Sequence, residues 1–290
     1  MKKKHWILLL MIIACLVSYY GYQVLDQARA DIKAPKIEIT AEQVEVSVLD
    51  PKNTLLQGMT ATDDVDGDVT TSVIVESISL LDTDGTISVE YAAFDSAGNV
   101  AKATRKAKYT DYEGPKLILK QPLVYPYGSN FDVLSTVGAT DAIDGDIQHR
   151  VRAVAMEETS IANMGTHQVC FQVTNSLGDR RTLELPVEVN ATGTYNADLA
   201  LTDYLIYLPM GADFSPEDYL ESFTLKGEPV NLRDGLPQNY SLRTKGQVQT
   251  QQPGVYCVEY RMTYAVRHDT DSQWNQEYTG YSKLIVVVEG

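Results

Sequence analysis

Ala61-Thr62-Asp63-Asp64-Val65-Asp66-Gly67-Asp68-Val69 returns as Ala139-Thr140-Asp141-Ala142-Ile143-Asp144-Gly145-Asp146-Ile147, 78 residues further on. A second landmark follows each copy. Gly85-Thr86 through Asp95-Ser96-Ala97-Gly98-Asn99 matches Gly165-Thr166 through Asn175-Ser176-Leu177-Gly178-Asp179 at an offset of 80. Two landmarks in the same order at nearly the same spacing make the repeat the folding unit. Between them the pattern has period two: Val89, Tyr91 and Ala93 alternate with Ser88, Glu90 and Ala92, and Val169, Phe171 and Val173 with Gln168, Cys170 and Gln172. That alternation suits a strand with one buried face. Gly98 can take the positive φ of a tight turn joining two such strands. Short strands divided by Gly/Asp turns indicate an all-β sandwich, and no segment after Leu25 has a helical period.

Each copy opens with a strand after a proline, Pro35-Lys36-Ile37-Glu38-Ile39 and Pro115-Lys116-Leu117-Ile118-Leu119. Proline, which donates no ladder hydrogen bond, suits a linker or a strand edge. The last hundred residues read as a divergent third copy. Tyr204-Leu205-Ile206-Tyr207-Leu208-Pro209 opens it, Pro253-Gly254-Val255-Tyr256-Cys257-Val258-Glu259-Tyr260 repeats the glycine-led strand, and Leu284-Ile285-Val286-Val287-Val288 closes it. Lys226-Gly227-Glu228 stands where the first two copies have Asp-Gly-Asp. The expected organisation is a cytoplasmic tail (1–5), a transmembrane signal anchor (6–25), a linker (26–33) and sandwiches over 34–110, 114–190 and 198–290.

The Asp-Gly-Asp strand start, the Gly-Thr-led strand and the Asp-x-Ala-Gly-Asn turn resemble the bacterial Ig-like domain family named after a pesticidal crystal protein. The resemblance spans about residues 34–290 and is strongest in the first two copies. It implies tandem Ig-like β-sandwiches of surface or secreted proteins, and no single biochemical activity, because such a domain is a module.

The N-terminus sets the expected location. Met1-Lys2-Lys3-Lys4-His5 precedes Trp6 to Leu25, a run without formal charge. Twenty residues rise about 30 Å as a helix, the thickness of a hydrocarbon core. Lysines before the run keep that end in the cytoplasm, so the expectation is a single-pass cell-membrane protein with its C-terminal domains extracellular. Two other readings use the same residues: a lipoprotein anchored through Cys15, and secretion after cleavage following Ala30.

Composition excludes some partners. A formal charge of −15 repels phosphate backbones, so nucleic acid is not expected. Cys170 and Cys257 are too few for a disulfide scaffold. The acidic loops offer hard oxygen ligands for calcium: Asp63, Asp64, Asp66 and Asp68 in the first copy, Asp141, Asp144 and Asp146 in the second. Their spacing is not that of a helix-loop-helix calcium site. The same aspartates also suit capping of backbone amides around Gly67 and Gly145, and both readings stand. No cofactor other than calcium is indicated. Nucleophile elbow, zinc-helix and phosphate-loop motifs are absent, so no enzyme is expected. In the tyrosine-rich third copy, Trp274, Tyr278 and Tyr281 are the candidate ligand-binding residues, because aromatic rings bring contact area at small entropic cost. Two functions follow as expectations. One is binding or adhesion to an extracellular protein or glycan at the bacterial cell surface. The other is a passive spacer in an envelope assembly.

Overall fold

The structure is a computed structural model that describes residues 2–29, 31–82, 85–154, 163–191, 193, 195–266 and 276–290. The chain divides after Tyr112 into two compact units.

One helix, α1 (Lys2–Arg29), opens the first unit. Among the described residues no helix is long and apolar enough to cross a membrane, which corrects the expected single-pass anchor over 6–25. A run free of charge is not a run free of polar groups. The strongly apolar stretch, Ile7 to Val17, is eleven residues and rises about 16 Å, roughly half of a hydrocarbon core of about 30 Å. Beyond it come Ser18, three tyrosines, Gly21 and Gln23. Cys15 is an exposed, free thiol on this helix, and Ala30 lies outside the described residues.

Among the described residues the rest of the first unit is built on β-strands, with single 3-10 turns at Lys52–Leu56 and Thr70–Ser72. Its strands are β1 (Lys36–Ile39), β2 (Gln43–Val46), β3 (Met59–Asp63), β4 (Gly67–Asp68), β5 (Ile74–Ile78), β6 (Thr86–Phe94) and β7 (Val100–Tyr109). They form two sheets, ordered β1-β3-β4 and β2-β7-β6-β5. The period-two pattern of β6 buries Val89, Tyr91 and Ala93, each paired across β7. Arg105 is buried on β7. Its guanidinium donates to the carbonyls of Gln57 (2.7 Å) and Leu55, and to the Tyr91 hydroxyl (3.2 Å). A buried cation is held only by such donors-to-acceptor matching. The end of the unit is pinned by Asp111, whose carboxylate accepts from the Ser47 hydroxyl and the Val48 amide.

The second unit begins with the same arrangement. Its strands β8 (Lys116–Leu119), β9 (Val124–Pro126), β10 (Val137–Asp141), β11 (Gly145–Asp146), β12 (Arg152–Val154), β13 (Gly165–Thr174) and β14 (Arg180–Asn190) form sheets ordered β11-β10-β8 and β12-β13-β14-β9. A four-residue helix, α2 (Val133–Thr136), leads into β10 and is capped by the Asp132 side chain on the Leu134 amide. Gly67 and Gly145 sit in equivalent turns with φ of 73° and 70°, where a side chain would be strained.

Seven further strands complete this unit: β15 (Ala197–Leu201), β16 (Leu205–Pro209), β17 (Leu220–Leu225), β18 (Glu228–Asn231), β19 (Tyr240–Lys245), β20 (Gly254–Val266) and β21 (Gln276–Glu289). They make one continuous sheet, ordered β18-β17-β15-β21-β20-β19, with β16 also parallel to β21. The closing strand serves two cores at once. Leu284, Val286 and Val288 pack with Leu199, Phe223, Val258 and Tyr260. Ile285 and Val287 join Leu117, Val169, Phe171 and Leu185 of the preceding strands. An unbroken apolar run is what burial on both faces of a strand requires. Polar links reinforce this seam. The Tyr207 hydroxyl donates to the Leu117 carbonyl and accepts from the Leu117 amide, both at 3.0 Å. Burial pushes its pKa up to about 12, so the phenol stays protonated.

Candidate metal centre

The acidic loop of the first unit is built by short-range hydrogen bonds before it is a site. Asp63 ends β3, and its Oδ1 accepts from the amides of Val65 (2.8 Å) and Asp66 (2.9 Å). This is an Asx turn, favoured by a short acidic side chain that can bond the chain just ahead of it. Those two amides hold the Asp63 carboxyl below the usual aspartate range, since a charge that accepts hydrogen bonds resists protonation. Asp66 reaches to the next turn, accepting from the Ser96 amide and hydroxyl (2.6 and 2.8 Å). Asp68 accepts from the Thr70 amide (2.9 Å), and the Thr70 hydroxyl and amide lower its pKa. Asp64 pairs with Lys33 at the surface.

Three loop segments meet at this end of the unit. Asp31, ahead of β1, Asp63 and Asp95, which follows β6, each offer a carboxylate oxygen, and these oxygens lie within 4.8 Å of one another. Asp31 and Asp63 each have one oxygen engaged, while both oxygens of Asp95 already accept hydrogen bonds. Asp31 Oδ1 accepts from the Lys33 amide at 3.1 Å. Asp95 accepts from the Asn99 amide and side chain, both at 2.8 Å. The Asn99 side chain also donates to the Asp31 carbonyl at 3.2 Å, tying the first and third segments together. Left over are Asp31 Oδ2 and Asp63 Oδ2, both shut away from solvent without a hydrogen-bond donor. Buried anionic oxygens without donors are costly, and a hard cation is one group that satisfies several at once. The donor set therefore fits a metal ion, with Asp31, Asp63 and Asp95 as the residues able to hold it.

The second unit supplies a comparison inside the same chain. Asp141 makes the same Asx turn, accepting from Ile143 (2.9 Å) and Asp144 (3.0 Å). Asp144 repeats the reach of Asp66, accepting from the Ser176 amide and hydroxyl (2.6 and 2.7 Å), and adds an ion pair with Arg150 at 2.8 Å. Burial works to raise the Asp144 pKa, but Ser176 and Arg150 outweigh it and the net shift is downward. Asp146 caps the Gln148 amide at 2.9 Å. The difference lies at the position of Asp95, which is Asn175. Its amide donates to Asp141 Oδ2 at 3.1 Å, filling the place that stays open on Asp63. The residue 80 places after Asp31 is Asp111, already committed to Ser47 and Val48.

Of the seven aspartates expected to bind calcium, only Asp63 joins the converging set. Asp64, Asp66, Asp68, Asp141, Asp144 and Asp146 carry the structural bonds just given. Asp31 and Asp95 were not among them, because they are distant in sequence and meet only when the loops close. The exchange of Asp95 for Asn175 between aligned repeats was the signal available for them. Of the aromatic candidates, Tyr278 is buried and stacks near Tyr264. Tyr281 stacks on Tyr195 with centroids 4.8 Å apart, and its hydroxyl donates to Glu188 at 2.9 Å. Both rings are engaged within the fold. Trp274 lies outside the described residues.

No family model matches the chain. It is 25% identical over 238 residues to the pesticidal crystal protein Cry22Aa of Bacillus thuringiensis, a match covering 79% of this chain and 31% of that protein. The chain thus spans about a third of the curated relative it matches. Among solved structures it is similar to the second CBM51 and INT domains of Clostridium perfringens ZmpB (17% identity, TM-score 0.22, 88% of this chain and 44% of that one). It is also similar to Drosophila N-cadherin EC1-3 (12% identity, TM-score 0.29, 86% and 98%). Mouse cadherin-23 EC22-24 gives 14% identity, a TM-score of 0.21 and coverage of 88% and 99%.

Proposed function

We propose that the chain is a non-catalytic binding or adhesion protein of tandem Ig-like sandwiches, whose first sandwich is ordered by calcium held on Asp31, Asp63 and Asp95. The observation that carries the calcium reading is the pair of hidden, donorless oxygens on Asp31 and Asp63 beside a third carboxylate. All-oxygen ligands from carboxylates suit calcium better than softer metals. The ion would neutralise the mutual repulsion of the three acids and fasten the segment before β1 to the turns after β3 and β6. The non-catalytic part of the reading is supported by where the titratable side chains go. Asp63, Asp66, Asp68, Asp141, Asp144 and Asp146 are spent on capping backbone amides and neighbouring turns.

The test is a melting curve of the purified chain with chelator and with excess calcium. A site of millimolar affinity saturated about tenfold raises the melting temperature of its unit by roughly 5–10 °C. An unchanged curve rules calcium out. Presentation of the same protein to arrays of glycans and surface proteins then separates binding from spacing: selective, saturable capture supports a binding module, and none leaves a spacer.

A further inference from the structure

A cleft of about 310 Å³ opens on the second unit, where β14 begins and β21 ends. Its walls carry three cations, Lys116, Arg180 and Arg181, and three acids, Glu113, Asp179 and Glu289. Two ion pairs form there, Lys116 with Glu113 at 2.5 Å and Arg181 with Glu289 at 2.6 Å. Lys116 and Arg181 also approach one ring. The Lys116 Nζ lies 5.7 Å from the Tyr207 centroid and the Arg181 guanidinium carbon 5.2 Å. The pairing with Glu289 uses one terminal nitrogen of Arg181. Its Nε is shut away from solvent and has no acceptor, and a hidden donor left unmatched is costly. Arg180 stands exposed at the rim, and its guanidinium pairs with no acid among the described residues.

The fold does not ask for these arginines. Arg180 and Arg181 face Thr174 and Val173 across their hairpin, as Val100 and Ala101 face Phe94 and Ala93 in the first unit. The same backbone positions are served by two apolar residues in one copy and by two guanidiniums in the other. Lys116 answers to Lys36, whose ammonium pairs with Glu38 on its own strand instead. Tyr207 and Glu289 come from β16 and β21, which belong to the second unit. Glu113 and Glu289 are matched by Lys116 and Arg181, so the donors left over are the Arg181 Nε and the Arg180 guanidinium.

We propose that this cleft binds a small carboxylate ligand, with Arg181 Nε and the Arg180 guanidinium donating to its oxygens. Guanidinium groups match the planar geometry of a carboxylate, and an anion beside Lys116 and Arg181 offsets the repulsion of two cations brought to one ring. The volume is at the low end for ligand pockets, which start at roughly 300 Å³, so the ligand is the size of one sugar acid or one amino acid. The acids on the same walls favour a carboxylate flanked by hydroxyl or ammonium donors. The site is independent of the metal on the first unit.

Titration calorimetry of the full chain with glucuronate and with alanine, against glucose and acetate at equal ionic strength, tests this. Saturable binding of one or both donor-bearing acids is expected, with acetate about tenfold weaker and glucose not bound. Glucuronate alone would point to a sugar acid, and alanine alone to an amino acid. Arg180→Ala, at an exposed position, should keep the wild-type melting temperature and weaken binding roughly tenfold. Arg181→Lys, which keeps the charge and removes Nε, should weaken it by at least as much. Lack of saturable binding by both acids overturns the proposal. So does binding that glucose matches, or that either variant leaves unchanged.

Discussion

Asp95 and Asn175 occupy equivalent turns and differ by one group, an oxygen in place of an amide nitrogen. In the second unit that nitrogen donates to Asp141; in the first, the matching oxygen of Asp63 has no donor. Asp95→Asn should therefore give the first unit a neutral clasp of its own. The variant is expected to lose the calcium-dependent rise in melting temperature while being more stable than wild type in chelator, as calorimetry would show. Acid acts on the same residue with a definite sign. The folded pKa of Asp63 is lowered by the Asp66 and Val65 amides. The stability it contributes is thus complete above the unfolded aspartate value and lost as pH falls through the lower folded one. Calcium binding, followed by titration calorimetry, should persist at pH 5, with the Asp63 carboxylate still ionised there. A loss already at pH 5 would contradict the assignment.

The repeated loop is the element read most fully from sequence. Asp-x-x-Asp-Gly-Asp predicts a glycine turn with capping aspartates, and both glycines have positive φ. What sequence concealed was the destination of the middle aspartate, which crosses to a turn 30 residues later, Asp66 to Ser96. Contacts between loops depend on how strands stack, which local patterning does not encode. Asp144, with its additional Arg150 partner, should matter more than Asp66. Asp144→Ala is expected to cost roughly 1–3 kcal/mol in denaturant unfolding, and Asp66→Ala less. The N-terminal segment differs from its expectation because a run without charge still carries Ser18, Gln23 and three tyrosines, whose transfer into hydrocarbon is unfavourable.

At the scale of the whole molecule, the expected independence of residues 114–190 and 198–290 meets a shared strand. Ile285 and Val287 lie in the core of the first group while Leu284, Val286 and Val288 lie in that of the second. The unbroken run from Leu284 to Val288 carried that information, since one-sided strands alternate. Ile285→Ala should cost about 2–5 kcal/mol, and residues 113–290 should melt in a single transition by both tyrosine fluorescence and far-ultraviolet dichroism. Two separated transitions would show the cores to be uncoupled. The seam also bears on descent. Duplication and shuffling copy a segment usefully only when it carries its whole interior with it. A cut after Asn190 would leave the upstream segment without Leu205, Ile285 and Val287, so residues 113–290 are expected to be copied as one block, with tandem growth at the boundary near Tyr112.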